Sequence, residues 1–263
     1  MEVRLVQCKT ATSPSRLPGL DRALNPYRGC GHACSYCYAQ DVTRFEMSRQ
    51  WGEVVEVKAN IVECLKKELA KGLKGMYGIG TVTDPYQPLE KQYELTRGCL
   101  KLLRNANAKV SVLTKSDLIL RDLDMLRGWE NAEVGLSIGC IDEKISSIVE
   151  PGAPSPSHRF EAAARLVHEG VDTYIMAAPV LPDVCDSEQT LKDLVAATAE
   201  AGVRRIMWDG FNPKPLATKR LRDALEDAGI GRRYPQILDG AKWIRSILLE
   251  ESSRKGIALS DAF

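Results

Sequence analysis

The hydrophobic and polar positions of the chain follow two alternating patterns. Short apolar runs, which are typical of buried strands, alternate with longer stretches in which apolar residues recur at helical spacing. The predicted strands are Val3–Gln7, Met76–Thr83, Lys109–Thr114, Glu133–Gly139, Asp172–Ala178 and Val203–Gly210. The predicted helices are Glu56–Leu73, Glu94–Asn105, Asp117–Arg127, Asp142–Ile148, His158–Glu169, Ser187–Glu200, Leu216–Asp227 and about Pro235–Glu250. This alternation predicts an α/β fold, in which a parallel sheet is covered by outer helices.

The same pattern divides the chain into three parts. Residues 1–24 are predicted to form an N-terminal arm, residues 25–212 a core barrel, and residues 213–263 a C-terminal helical extension packed on that core. A short strand just before Cys30 brings the count to about six β/α units, fewer than the eight of a complete barrel. Arg44–Gly52 is predicted to be a loop or a short helix.

Composition and charge exclude several classes of protein. The chain has 263 residues, of which 44% are hydrophobic, so it can bury a core of ordinary size. It has no apolar run long enough to span a membrane and no signal-peptide features at its first residues, so we expect a cytoplasmic protein without a membrane anchor. The net charge of +1 gives no strong field for nucleic acid. The basic stretch Arg204–Arg233 predicts solvated helix faces and leaves a polyanionic partner open.

The segment Asn25–Asp41 carries the strongest chemical signal. Cys30, Cys34 and Cys37 lie in it at a C-x3-C-x2-C spacing. Thiolates select zinc, copper(I) or iron–sulfur clusters, and three of them leave one iron of a [4Fe–4S] cluster open to a small molecule. In a cytosolic chain cysteines favour metal binding over disulfides. The other five are scattered singly and are expected to be small buried hydrophobes, namely Cys8, Cys64, Cys99, Cys140 and Cys185.

A histidine in the same loop keeps a second interpretation open. His32 with the three thiolates completes a Cys3His zinc site on paper. It lies inside the first cysteine spacing, where a compact loop would struggle to direct it and both flanking thiolates at one tetrahedral ion. A non-enzymatic zinc or iron–sulfur protein is therefore the alternative to an enzyme.

Polar residues at the predicted strand ends are candidates for ligand binding, because ligands of parallel sheets bind at the carboxyl ends of the strands. Thr83 and Asp84 end one strand, and Asp84 either accepts a ligand ammonium or caps the turn before Pro85. Lys115 and Ser137 end the next two strands and are suited to a ligand carboxylate. Tyr86 and Gln87 are expected to line the same opening.

The cysteine loop resembles the signature of the radical S-adenosylmethionine (SAM) superfamily, C-x3-C-x-aromatic-C, with Tyr36 at the aromatic position. The resemblance implies a partial (β/α)6 barrel and a [4Fe–4S] cluster held by the three cysteines. It further implies that the open iron binds SAM, and that one electron then cleaves SAM to a 5′-deoxyadenosyl radical that abstracts hydrogen from a substrate. A ferredoxin or flavodoxin donor and oxygen sensitivity follow from the same chemistry.

Further segments resemble the spore photoproduct lyase-like branch of that superfamily, among them YRGCGHACSYCYA, TVTDPYQPLE, GLSIG and AAPVLPDV. The resemblance implies SAM contacts at Tyr36, Thr83, Lys115 and Ser137, and an adenine contact at Ala178, Pro179 and Val180. It also implies a role in radical transfer for Tyr36 and Tyr38. A Glu and an Arg recur near the Pro-rich turn, and Glu150 with Arg159 is predicted to form a buried pair that orders the loop.

One departure from that branch bears on the reaction. Spore photoproduct lyases carry a hydrogen-donating cysteine where this chain has Thr81, whose hydroxyl cannot take that role. Cys140, just past a predicted strand, is a candidate replacement donor, and Asp209 is a candidate substrate-contacting carboxylate. The sequence therefore predicts a radical SAM enzyme of unidentified substrate. Lyase-type repair of a DNA photoproduct is the alternative reaction; a nucleic-acid substrate is possible but not favoured.

Overall fold

The computed structural model describes residues 1–43, 49–230 and 237–262, and only the backbone of residues 237–240. The strands are β1 (Glu2–Val6), β2 (Thr12–Pro14), β3 (Arg22–Leu24), β4 (Tyr27–Arg28), β5 (Val54–Lys58), β6 (Met76–Ile79), β7 (Lys109–Thr114), β8 (Ala132–Ser137), β9 (Asp172–Val180), β10 (Arg205–Gly210) and β11 (Ala258–Asp261). The α-helices are α1 (Ala39–Val42), α2 (Ile61–Ala70), α3 (Glu90–Tyr93), α4 (Leu95–Asn105), α5 (Leu123–Leu126), α6 (Glu143–Val149), α7 (Pro156–His168), α8 (Glu188–Glu200), α9 (Pro215–Asp227) and α10 (Ile237–Arg254). A 3-10 helix covers Asp117–Asp122, where the pattern predicts the start of an α-helix.

The main sheet has eight strands in the order β11-β10-β9-β8-β7-β6-β3-β2. Every neighbouring pair is parallel except β2 with β3. In the described part of the chain β2 and β11 are the two edges, so the sheet is an open, partial barrel. The predicted α/β class and parallel sheet with outer helices are confirmed.

The register brings the carboxyl ends of the strands to one edge of the sheet. Thr114 of β7 pairs with Leu136 of β8, Ser137 pairs with Met176, and Gly210 of β10 pairs with Val180 at the end of β9. Residues that follow these strand ends are therefore neighbours in space, although they are far apart in sequence.

A small second sheet, β1-β5-β4, holds the entry to the cysteine loop. The prediction of helix from Glu56 onward is wrong for β5, because the valines of this strand are buried and pair with both β1 and β4. β4, just before Cys30, is antiparallel to β5 and lies outside the main sheet. The strand of the first β/α unit is instead β3, which is parallel to β6.

The core lies between the main sheet and the helices around it. Both faces of the central strands are buried, as shown by the consecutive buried residues Val110, Ser111 and Val112 of β7. The helices bury one stripe each, and Ser187 caps α8 by accepting a hydrogen bond from the backbone N–H of Thr190, as predicted.

The main sheet crosses both of the predicted domain boundaries, since β3 lies in the N-terminal arm and β11 in the C-terminal extension. Parts of the predictions for Arg44–Gly52 and Pro235–Glu250 lie outside the described residues. Among the described helices, none combines the length and apolar character that crossing a bilayer requires.

Candidate metal and cofactor site

The cysteine loop leaves β4 and turns sharply around its three thiols. Gly29 and Ala33 adopt left-handed conformations, with φ of 81° and 55°. The backbone N–H of Ala33 donates to the carbonyl of Cys30 at 3.2 Å, and the N–H of Cys37 donates to that of Cys34 at 3.3 Å. All three cysteines are free thiols. The spacing predicted from the sequence thus becomes a compact loop with three available sulfur ligands.

Gln87 fastens this loop to the end of β6. Its side chain is completely buried, accepts a hydrogen bond from the N–H of Gly31 at 2.8 Å, and donates to the hydroxyl of Thr83 at 3.0 Å. Thr83 in turn donates to the carbonyl of Gly29 at 2.6 Å. The prediction that Gln87 lines the opening is wrong. Its role was not visible in the sequence, because the two segments are joined only by the fold.

The opposite side of the loop is held by two further buried side chains. The amide of Gln40 donates to the carbonyls of Cys34 at 3.2 Å and Ser35 at 2.8 Å. The indole of Trp51 donates to the carbonyl of Cys34 at 3.2 Å. Three hydrogen bonds therefore hold the backbone carbonyls of Cys34 and Ser35 in place.

The His32 ring lies beside a carboxylate. Its Nδ1 lies 3.3 Å from Oδ2 of Asp84, and the ring is 2% exposed. Among the described residues, no three cysteine, histidine or acidic side chains converge on the position of a single ion. A structural zinc ion needs four ligands around one point. The donor set therefore fits a larger group between the thiols better than it fits one zinc ion.

Burial governs the protonation of the thiols. It raises the pKa of Cys30 to about 12 and raises the pKa of Cys34 and Cys37 as well. Thiolates in so desolvated a loop need positive charge nearby to form. A bound metal group supplies that charge.

Lys115 and Ser137 meet across the tips of β7 and β8. Nζ of Lys115 donates to the hydroxyl of Ser137 at 2.8 Å, and that hydroxyl donates to the carbonyl of Ala178 at 3.1 Å. Nζ also lies 5.6 Å from the centre of the Tyr36 ring. Burial alone would lower the pKa of Lys115, but the negative charge of Cys34 and Glu150 outweighs it and the pKa is raised. The structure thus brings four residues predicted as cofactor contacts into one cluster.

Glu150 is the centre of the charges in this cluster. Its carboxylate accepts hydrogen bonds from the hydroxyl of Tyr36, the guanidinium of Arg159 and, at 3.1 Å, the hydroxyl of Ser146. It also lies 4.0 Å from Nζ of Lys115. Burial would raise its pKa, but the cations of Arg159 and Lys115 lower it. The predicted Glu150–Arg159 pair is confirmed, and it supports Tyr36 and Lys115 as well as the loop.

Asp84 is occupied by bonds within the protein. It accepts hydrogen bonds from the hydroxyl of Thr114 at 2.6 Å, the N–H of Lys115 at 2.7 Å and the N–H of Tyr86 at 2.8 Å. These bonds favour the capping role that the sequence left open for it. Asp84 therefore orients Lys115 through its backbone.

The other predicted site residues lie around this cluster. Tyr38 is 40% exposed and donates a hydrogen bond to the carbonyl of Thr81. Asp209, at the end of β10, is half-buried, and burial raises its pKa. Pro179 and Val180 complete β9, which runs two residues beyond its predicted end. A cavity of about 590 Å³ is lined by His32 and Tyr86, and neither the three loop cysteines nor the residues predicted to contact SAM line it.

Two cysteines predicted to be isolated are joined. Cys140 and Cys185 form a disulfide across 45 residues, with Cα atoms 5.2 Å apart. The interpretation of both as single buried hydrophobes, and the preference for metal binding over disulfides, is wrong for this pair. Cys140 as it stands has no S–H to give. Nothing in the spacing pointed to the pairing, which depends on the adjacent ends of β8 and β9.

Residues 24–195 match the family model of the radical SAM superfamily. This chain belongs to the radical SAM superfamily. An uncharacterized protein of Methanocaldococcus jannaschii is 36% identical over 188 residues, covering 72% of this chain and 71% of that protein. An uncharacterized protein of Mycobacterium tuberculosis is 34% identical over 197 residues, covering 72% of this chain and 58% of that protein. A radical SAM Nalpha-GlyT isomerase of Pseudomonas phage M6 is 23% identical over 201 residues, covering 74% of this chain and 41% of the isomerase.

Solved structures share the fold of this radical SAM protein. A mutant of spore photoproduct lyase has a TM-score of 0.75 and 15% sequence identity, covering 99% of this chain and 82% of the lyase. SuiB of Streptococcus suis bound to SAM has a TM-score of 0.62 and 14% identity, covering 91% of this chain and 49% of SuiB. The predicted resemblance to the superfamily is confirmed, and the likeness to the lyase is confirmed for the fold.

Membership makes the chain a radical SAM enzyme and implies SAM and an iron–sulfur cluster as its cofactors. The loop fits such a cluster through three free thiols, of which those of Cys30 and Cys34 are buried and that of Cys37 is half-buried. The adjacent cluster of Tyr36, Lys115 and Ser137 fits a small zwitterion, because it offers an ammonium and a hydroxyl at the strand ends. We expect these residues to hold the cofactors.

Proposed function

We propose that Cys30, Cys34 and Cys37 hold a [4Fe–4S] cluster at which SAM is reductively cleaved, supplying a 5′-deoxyadenosyl radical that abstracts hydrogen from a substrate. The observation that carries this proposal is the three-thiol loop packed beside the Lys115–Ser137 pair. Lys115 and Ser137 bind the carboxylate of SAM. The ring of Tyr36 lies under the ammonium of Lys115 and contacts SAM from the same side. Ala178, Pro179 and Val180 face the adenine. Thr83 and Asp84 complete the SAM site at the end of β6, where Thr83 also holds the cysteine loop and Asp84 also holds the backbone of Lys115.

The proposal includes roles for the residues around the opening. Tyr38 and Tyr36 relay a radical or position its acceptor, and Asp209 contacts the substrate. Cys140 serves as a hydrogen donor once its disulfide is reduced. A low-potential carrier, a ferredoxin or a flavodoxin, supplies the electron. The enzyme works in the cytoplasm, and its cluster is sensitive to oxygen.

The contacts of the basic residues in Arg204–Arg233 bear on whether the substrate is a polyanion. Two cations of the basic stretch Arg204–Arg233 form ion pairs, Arg205 with Glu133 at 2.8 Å and Lys219 with Asp223 at 2.5 Å. Arg220 donates to the carbonyl of Trp51 at 3.1 Å. Arg232 and Arg233 lie outside the described residues. These pairs support the prediction of solvated helix faces and do not favour a polyanionic partner.

Repair of a DNA photoproduct remains the second candidate. Some solved neighbours are lyase structures that contain the dinucleoside spore photoproduct, and the phage relative is named as an isomerase. In this chain the place of the lyase thiol donor is taken by Thr81, whose hydroxyl accepts a hydrogen bond from Asn25 at 2.9 Å. The hydrogen donor of such a repair would have to come from elsewhere in the site.

The test is anaerobic reconstitution with iron and sulfide, reduction with dithionite, and addition of SAM. We expect 5′-deoxyadenosine, detected by mass spectrometry, from the wild type and none from Cys34→Ala, which also loses iron. Cys8→Ser is the matched control, since Cys8 lies outside the loop beside Asn60. The proposal would be contradicted if the wild type bound zinc tightly and formed no 5′-deoxyadenosine, or if Cys34→Ala kept the full iron content of the wild type. Addition of a dinucleoside photoproduct tests the second candidate in the same assay.

A further inference from the structure

Cys140 and Cys185 lie at the carboxyl ends of two neighbouring strands of the main sheet. Cys140 follows Ser137, the last residue of β8, and Cys185 follows the end of β9 at Val180. They are 7% and 1% exposed. The pair therefore stands at the edge of the sheet where the cofactor contacts meet.

The pair belongs to the same buried apolar cluster as part of the candidate site. One buried apolar cluster contains both of these cysteines together with the metal-ligand candidate Cys34 and the cofactor contact Tyr36. Val149, Leu181 and Phe211 are further members of this cluster. The sulfur atoms of Cys140 and Cys185, which can exchange hydrogen and electrons, thus lie in the same buried region as Cys34 and Tyr36 of the candidate site.

The fold does not need the covalent link to bring these segments together. β8 and β9 are already paired from Glu133 to Ser137, and the N–H of Ile138 donates to the carbonyl of Met176 at 2.9 Å. The turn before Cys185 is closed by its own N–H, which donates to the carbonyl of Leu181 at 2.9 Å. The position of the two sulfurs follows from the sheet, so the pair can open without separating the strands.

We propose that Cys140 and Cys185 form a redox couple that works as a dithiol, delivering one hydrogen atom to a carbon radical at the strand ends and closing to the disulfide. The inference rests on the proposed function and extends it to Cys185. An S–H bond gives up its hydrogen atom far more readily than the hydroxyls of Ser137 and Thr81. The couple supplies the reducing equivalent from inside the site.

The step balances as a two-electron oxidation of the dithiol. The S–H bond of Cys140 breaks homolytically, and its hydrogen forms a C–H bond on the radical. Cys185, having lost its proton to solvent, joins as the thiolate to the Cys140 thiyl and forms the S–S bond. The one electron in excess leaves to a one-electron iron–sulfur carrier protein. A dithiol reductant of the thioredoxin class, or dithiothreitol, restores the pair by thiol–disulfide exchange.

The first measurement uses the folded, metal-free protein and requires no SAM cleavage. The protein is incubated with dithiothreitol, quenched, denatured, alkylated and weighed by mass spectrometry. We expect two additional alkylated cysteines, located at Cys140 and Cys185, and their loss on mild reoxidation. A pair that stays closed in the folded protein through excess dithiothreitol would overturn the inference.

The second measurement uses the cluster-loaded protein with its pair reduced, in heavy water, so that the thiols carry deuterium. The cluster is reduced with a single equivalent of dithionite. SAM is then added as the probe, together with an oxidised iron–sulfur carrier protein that accepts the electron released when the disulfide closes, and no other substrate is present. We expect one deuterium in 5′-deoxyadenosine and a gain of disulfide at Cys140 and Cys185. Cys140→Ser loses the deuterium, Cys185→Ser keeps it without forming a disulfide, and the control Cys8→Ser behaves as the wild type.

The outcomes separate the two proposals. If 5′-deoxyadenosine forms without deuterium, or Cys140→Ser incorporates as much deuterium as the wild type, the redox couple is rejected and the proposed function stands. If the loaded wild type forms no 5′-deoxyadenosine, the proposed function is rejected and the couple falls with it. Iron content and circular dichroism identify a variant that fails to fold. If Cys140→Ser fails, Cys185→Ser still decides, because the redox couple requires it to incorporate deuterium, and a folded Cys185→Ser without deuterium in 5′-deoxyadenosine overturns the inference.

Discussion

Lys115 donates a hydrogen bond from its ammonium to the hydroxyl of Ser137 at 2.8 Å, joining the ends of β7 and β8. We expect Lys115→Met to weaken SAM binding by roughly tenfold or more, since a charge-assisted hydrogen bond contributes about 1.5 to 3 kcal/mol. Ser137 keeps its bond to the carbonyl of Ala178, so the strand ends stay in place. Equilibrium dialysis of SAM against the loaded protein measures the effect. The exposed Lys101→Met is the control, and an unchanged dissociation constant in Lys115→Met would exclude this role.

Glu150→Gln removes the negative charge that faces the buried guanidinium of Arg159. Because the side chain of Arg159 is 1% exposed, its cation is left without a counter-charge, and breaking such a pair costs about 3 to 5 kcal/mol of unfolding free energy. Urea unfolding of the metal-free protein measures this loss. Glu188→Gln breaks an exposed pair with Lys192 and should change stability by less than about 1 kcal/mol. Equal losses in the two variants would show that burial does not govern the effect.

Asp84 makes the protein sensitive to acid. Burial raises its pKa, but His32, Thr114 and the N–H of Lys115 outweigh burial and lower it to about 2. The folded pKa lies below the unfolded value, so the stabilisation is complete above about pH 4 and is lost as the pH falls toward 2. In Asp84→Asn the unfolding free energy should fall by roughly 2 kcal/mol less than in the wild type between pH 5 and pH 2. The measurement is the urea unfolding midpoint of the metal-free protein between pH 5 and pH 2. If the midpoint of Asp84→Asn falls with pH as steeply as that of the wild type, Asp84 is not the source of the acid sensitivity.

Gly152 lies where the turn after α6 meets the cysteine loop. A Cβ atom at this position would lie 2.2 Å from the carbonyl oxygen of Gly31 and 2.9 Å from the Cα of His32. Both neighbours are backbone, so Gly152→Ala must displace the loop, at a cost of about 1 to 3 kcal/mol. We expect a lower melting temperature and less iron bound after reconstitution. Gly210→Ala is the matched control because its Cβ meets nothing within 4 Å. Wild-type iron content in Gly152→Ala would show that the loop tolerates the shift.

The sequence predicted most strands and helices because their apolar periods are local. Lys109–Thr114 was predicted with its observed bounds, and the helix from Leu216 to Asp227 begins one residue earlier, at Pro215. β5 was missed because its valines continue into the helical pattern of α2, and only pairing with β1 and β4 separates the two. β11 was missed because a short strand at the sheet edge carries little pattern of its own.

The sequence by itself determined the three-thiol loop, the strand-end residues and the parallel α/β class, since each depends on residues that are neighbours in the chain. Only the tertiary structure decided that Gln87 holds the loop, that Glu150 joins Tyr36 to Arg159, and that Cys140 meets Cys185. These contacts join segments from different strand ends. Their partners are chosen by sheet register and burial, which act on the folded chain as a whole and leave no fixed spacing in the sequence.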